Sequence, residues 1–213
     1  MSAGPTLFDH SPLDAALADL KRDLTAAGGP AISTIQNYRF AIMVYAPKDE
    51  FRLRTAISRM SDDLRRADWD VLSISLQAML LNRVRAMGDE WLESRIAREK
   101  SLSRRSPERH LNFLINEIAP KLEGEGGIAD DVAARIDAFA DQGLDPNRTV
   151  IFIGRAGALY PFHRSSALLK LLDGRTRNLP VVLLYPGQRG DGNALSFMGR
   201  VPADRDYRPR IYS

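Results

Sequence analysis

The chain contains no cysteine. That excludes disulfides, thiolate nucleophiles and cysteine-ligated zinc, and it fits a reducing compartment, so the expected location is the cytoplasm. Histidine is scarce as well: His10, His110 and His163 lie far apart and no HExxH occurs, so neither a metal centre nor a cofactor is expected. No apolar run approaches the roughly 18 residues of a membrane span. The opening MSAGPTLFDHSPLDAALADL lacks the basic and apolar regions of a secretory signal, so a soluble protein without membrane contact is expected. Glycine is missing where a phosphate cradle would need it. The loop after the first predicted strand reads APKDEFRLR, without glycines or a Lys-Ser/Thr pair, and Asp49 and Glu50 follow Lys48 where they would repel phosphate. GxGxxG and GxSxG are absent too.

What is present suffices for one substantial core: 213 residues, 44% of them hydrophobic. The expectation is a single α/β domain over 1–213, with an N-terminal helix and linker at 1–30 and an edge strand or tail at 194–213. The formal net charge of +3 is unevenly spread. From Arg148 onward 11 Arg and Lys stand against 4 Asp, a local excess of +7, and the preceding part carries −4. Such asymmetry points to an acidic partner, nucleic acid or protein, or else to scattered solvated arginine.

Periodicity gives alternating elements. Leu13, Leu17, Leu20 and Leu24 form the apolar stripe of a helix over 13–27, stopped by Gly28-Gly29-Pro30. YRFAIMVYAP (38–47) reads as a buried strand and 49–66 as a helix with Asp49 as N-cap. WDVLSISLQ (69–77) is a second strand, with Leu72, Ile74 and Leu76 on one face, and helical pattern follows from Ala78 to about Arg98. Ser106-Pro107 opens a helix that Pro120 ends, and another runs from Ile128 until Gly143 caps it. TVIFIG and LPVVLLYPG are strands flanking a helix over about 162–172. The tail reads as an edge strand or short hairpin, because its prolines cannot sit inside a sheet.

Strands such as AIMVY, VIFIG and VVLLY lack strict alternation, as a parallel sheet buried on both faces requires. The fold class is therefore a three-layer α/β arrangement, a mostly parallel sheet with helices on both faces, resembling a degenerate nucleotide-binding domain without a P-loop. Ligands of such sheets bind beyond the carboxyl ends of the strands, here the loops after Tyr45, Gln77, Ile153 and Tyr185.

Among these loops, GRAGALYPFHRSS is the richest in chemistry. Arg155, His163, Arg164, Ser165 and Ser166 gather near a predicted helix N-terminus, where an anion could bind. Gly154 and Gly157 permit a positive φ or close backbone approach. The competing reading, which is favoured, is that the glycines shape the turn, Tyr160 and Phe162 pack on the sheet, and a serine caps the helix. No third group orients a serine–histidine pair, so no catalytic residue is assigned. In PADRDYRPR, alternating Asp204, Arg205, Asp206, Arg208 and Arg210 read as internal salt bridges that settle a charged tail.

Taken together, FIGRAGALYPFHRSSALLKLLDG, LPVVLLYPG and LSFMGRVPADRDYRPRIY resemble the C-terminal part of the BrxB family, the small core subunit of BREX bacteriophage-defence systems. The resemblance rests on about the last third of the chain. It implies a non-catalytic structural or adaptor subunit, not an enzyme, whose expected direct partner is the PglZ protein of the same operon, with other BREX subunits in contact. Arg155, Tyr160, Phe162, His163, Arg164, Tyr207 and Arg208 are the partner-binding candidates, since aromatics and arginines are the usual interface anchors. The alternative is a nucleic-acid-contacting module that uses the C-terminal arginines. Their number alone predicts only weak, sequence-independent DNA binding that salt removes.

Overall fold

The computed structural model describes residues 11–32, 39–104, 106–163, 174–190, 194–198 and 209–213. It is an α/β protein with a mostly parallel six-stranded sheet. The strands are β1 (Phe40–Tyr45), β2 (Asp70–Ser75), β3 (Thr149–Gly154), β4 (Val181–Arg189), β5 (Leu195–Phe197) and β6 (Arg210–Tyr212). The helices are α1 (Pro12–Leu24), α2 (Glu50–Arg66), α3 (Leu76–Ala86), α4 (Asp89–Ser103), α5 (Pro107–Leu122) and α6 (Ile128–Ala140). Strand order is β2-β3-β4-β1-β6, with β5 added to β4. β1 runs parallel to both β4 and β6, in register Phe40↔Val181 and Ala41↔Arg210. The chain divides into two compact units, one of Met1–Leu72, Leu144–Phe152 and Asn178–Ser213, the other of Ser73–Gly143 and Ile153–Arg177.

In the first unit, α1 begins at Ser11, whose hydroxyl accepts from the Asp14 amide, with Pro12 at a position where its missing N–H costs nothing. Its leucine stripe joins Leu53, Ile57, Met60 and Leu64 of α2 in one cluster with Ala41, Met43, Phe152, Val182 and Leu184. Each buried leucine or isoleucine contributes about 1.5–3 kcal/mol. The alternate residues Phe40, Ile42, Val44, Val181 and Leu183 are buried as well, which is why these strands show no polar alternation. β6 forms an edge of the sheet. Tyr212 donates to the buried Asp23 at 3.0 Å, Arg210 forms an ion pair with the same carboxylate, and Arg210 also donates to the Ala31 carbonyl at 3.1 Å.

β5 pairs antiparallel with the end of β4, and Phe197 meets the Tyr185 ring edge-on at 5.3 Å. Gly187 makes that approach possible: a Cβ there would collide with the Ser196 carbonyl oxygen and lie 2.8 Å from Cε1 of Tyr185. Gly187→Ala is expected to cost about 2–3 kcal/mol through overpacking, read as a melting temperature lower by roughly 4–12 °C.

In the second unit, α3 packs against α4, α5 and α6. It starts at Leu76 because Ser75 caps it, accepting from the Ala78 amide at 3.2 Å; the sequence reading had carried the strand to Gln77. Arg83 fixes α3 to the turn before α6. It pairs with Asp131 and donates to the carbonyls of Lys121, Gly126 and Gly127, using the several donors of one planar guanidinium. Two helix ends differ from expectation. Gly88, at φ 89°, divides the single helix expected after Ala78 into α3 and α4. Pro120 lies within α5, not at its end, since its ring costs only one bond in the last turn and Leu122 beyond it is buried. Asp49 precedes α2 but its side chain makes no capping bond. Gly143, at φ 75°, closes α6 as expected.

Candidate functional site

The loop after β3 belongs to the second unit. β3 ends at Gly154, and the chain then turns on Arg155, held at φ 64° and ψ 30° in the left-handed region. A non-glycine residue there is strained by roughly 1–3 kcal/mol and persists only where its surroundings enforce it. One such contact is tertiary: the Arg155 guanidinium donates to the side-chain oxygen of Gln77, 78 residues earlier in the chain, through Nε at 3.1 Å and again through Nη2. Gln77 stands just beyond the carboxyl end of β2, and β2 neighbours β3 in the sheet. The first turn of α3 and the loop after β3 meet at the position where ligands of α/β sheets bind. The glycines shape the turn without taking the positive φ they permit. Gly157 falls inside a short 3-10 turn, Ala156–Leu159, and neither it nor Gly154 takes a positive φ; the left-handed residue is Arg155 itself.

Beyond the turn, the Tyr160 amide donates to Gly157 at 3.1 Å, the Tyr160–Pro161 bond is cis, and the His163 amide donates to Leu159 at 2.9 Å. This anchors both ends of a compact loop on which Tyr160 and Phe162 are half-buried. His163 is only 3% exposed, and neither ring nitrogen has a hydrogen-bond partner among the described residues. The nearest carboxylate oxygen, on Glu123, lies 3.9 Å from Nδ1, beyond hydrogen-bond reach. The loop thus offers two half-buried aromatic rings and a buried imidazole. Arg164, Tyr207 and Arg208 lie outside the described residues, as does the expected helix after His163. Gln77 and Glu123 are the members that sequence reasoning missed, and no spacing or motif signals either pairing.

Burial lowers the His163 pKa from its ordinary value near 6.5, and Glu123 offsets that only in part. The unfolded chain therefore binds a proton that the folded chain resists. Stability is expected to be full above about pH 6.5 and to fall as pH drops through the lower folded value. Chemical denaturation of wild type and His163→Leu between pH 7.5 and 5 checks this: the wild type should lose stability relative to the variant as pH falls. Parallel curves would contradict it.

Five arginines of the basic C-terminal part are engaged within the protein. Arg148 donates to the Ala67 carbonyl, Arg175 pairs with Asp130 at 2.6 Å, and Arg177 with Asp141 at 3.1 Å; Arg155 and Arg210 are held as described. Among the described residues no group of three His, Asp or Glu could hold a metal ion, and no helix is long and apolar enough to cross a membrane.

No curated protein and no solved structure matches the chain. A family model described as BREX protein BrxB matches residues 72–211. That span takes in α3 to α6, the Gln77–Arg155 junction, the aromatic loop and β4, well beyond the last third in which the resemblance is legible by eye. With about two thirds of its length matched, the chain belongs to the BrxB family of BREX proteins, and its role lies in BREX defence.

Proposed function

We propose that the chain is a non-catalytic adaptor of the BREX defence complex that binds the PglZ protein of the same operon through the loop after β3. The observation that supports this reading is the pair of half-buried aromatics, Tyr160 and Phe162, on a loop braced by the Arg155–Gln77 contact. Rigid aromatic side chains that stay partly exposed lose little entropy on docking and bury a large area, which is how interface anchors work. The state of the C-terminal arginines favours a protein partner over nucleic acid. Five of them already answer acceptors of this chain, so phosphate contacts would first have to replace those. A salt-sensitive, non-specific contact is the most they would give.

The test is affinity capture of the tagged chain from cells carrying the whole operon, with nuclease treatment and washes at low and high salt. PglZ is expected to be the main protein retained at both salt levels. Retention that nuclease abolishes would replace this reading with the nucleic-acid one.

A further inference from the structure

Between Leu81 and Lys121 not one described side chain is buried. A stripe on α5 emerges from the core into solvent: Leu122 is 1% exposed, Ile118 and Ile115 are half-buried, and Leu111 is 41% exposed. On α4, Arg95 faces α5, pairing with Glu117 at 2.6 Å. The outer side of α4 carries Ile96, 48% exposed, beside Ala97. A single exposed isoleucine is ordinary on a soluble surface, and whether anything covers this one, and what, is read from the charges beside it.

The charges of that outer face say what. Asp89, Glu93, Ala97, Lys100 and Arg104 follow one another at helical spacing on a single stripe. The acidic pair are neighbours at i and i+4, and so are the basic pair, and like charges in that relation repel. None of the four makes an ion pair among the described residues. With two acids at one end and two bases at the other, the stripe offers no single sign to a highly charged partner. It is complementary to itself read backwards.

We propose that α4 is a self-association helix, through which two copies of the chain pair antiparallel about a two-fold axis passing between Ile96 and Ala97. That axis sets Asp89 opposite the second copy's Arg104 and Glu93 opposite its Lys100. Each isoleucine meets the small Ala97 of the other copy, where an open depression lined by Ala97, Lys100, Ser101 and Arg104 receives it. Such an interface is isologous: every contact occurs twice, so one substitution acts twice. It places the loop after β3 on both copies and makes the assembled complex bivalent.

The experiment is sedimentation equilibrium of the full chain from about 1 to 100 μM, a range that spans typical weak dimers. The mass is expected to rise from that of one 23.7 kDa chain toward twice that value. Ile96→Glu should remain monomeric throughout with an unchanged melting temperature. Glu93→Lys should also be monomeric, since it sets lysine against Lys100 twice, and adding Lys100→Glu to the same chain should restore the dimer. A wild type that stays monomeric overturns the proposal. So does a dimer that survives Ile96→Glu, or one that the paired charge reversal does not restore.

Discussion

Removal of Arg210–Ser213 is expected to lower the melting temperature by roughly 10–25 °C, or to leave the chain insoluble. These four residues lie at an edge of the sheet, yet they complete a buried polar knot. Tyr212 and Arg210 both bind Asp23, a largely buried carboxylate in the last turn of α1 that also pairs with Arg22 at 3.4 Å. Stripping two partners from this largely buried carboxylate costs up to about 3–5 kcal/mol, with Arg22 remaining beside it. Losing the buried tyrosine ring adds about 2–3 kcal/mol. Together these approach the whole stability of an ordinary domain, about 5–15 kcal/mol, and at this chain length each kcal/mol moves the melting point by roughly 2–4 °C. Tyr212→Phe keeps the ring and loses only the hydrogen bond to a charged acceptor, so about 1.5–3 kcal/mol is expected. Thermal unfolding of the truncated chain and of Tyr212→Phe checks the order; a truncated chain that melts like the wild type would show that the knot carries no load.

The second large effect belongs to the aromatic loop. Tyr160→Ala combined with Phe162→Ala is expected to weaken binding to PglZ by about a hundredfold or more, with a melting temperature within a few degrees of the wild type. Anchor residues at interfaces cost about 2 kcal/mol or more each when truncated, and tenfold in affinity is about 1.4 kcal/mol. Both rings are half-buried, so their removal leaves no closed cavity. Arg155→Ala should behave differently. It breaks the bond to Gln77 that holds a left-handed residue, and so it should lower the melting temperature first and affinity only through loop disorder. Equal melting losses in the double variant and in Arg155→Ala would make the loop a purely structural element.

How far the sequence told this in advance depends on the range over which each signal acts. TVIFIG became β3 residue for residue, and the leucine stripe of α1 was plain, because burial on a period of two or 3.6 is written locally. The family resemblance was legible from the last third alone, and the family match extends it back to residue 72. Helix ends were less legible. Gly88 reads as one tolerated glycine in a helical pattern until its positive φ is seen, and Pro120 reads as a stop although the buried Leu122 carries the helix past it. Gly154 and Gly157 permit a left-handed turn, yet it falls on Arg155, whose guanidinium reaches a glutamine 78 residues earlier in the chain. That dependence is tertiary, and no local pattern encodes it. The burial of His163 is invisible in sequence as well, because a lone histidine carries no local pattern that sets its exposure.

The adaptor reading stands or falls on one complex. The chain and PglZ should be co-expressed, purified to homogeneity and passed together over a size-exclusion column at roughly micromolar concentration, where a specific interface of about 1,200–2,000 Å² persists. A single peak containing both proteins, unchanged after nuclease treatment and at raised salt, is the expected result. Separate elution of the two wild-type proteins, each folded by its melting curve, would contradict it.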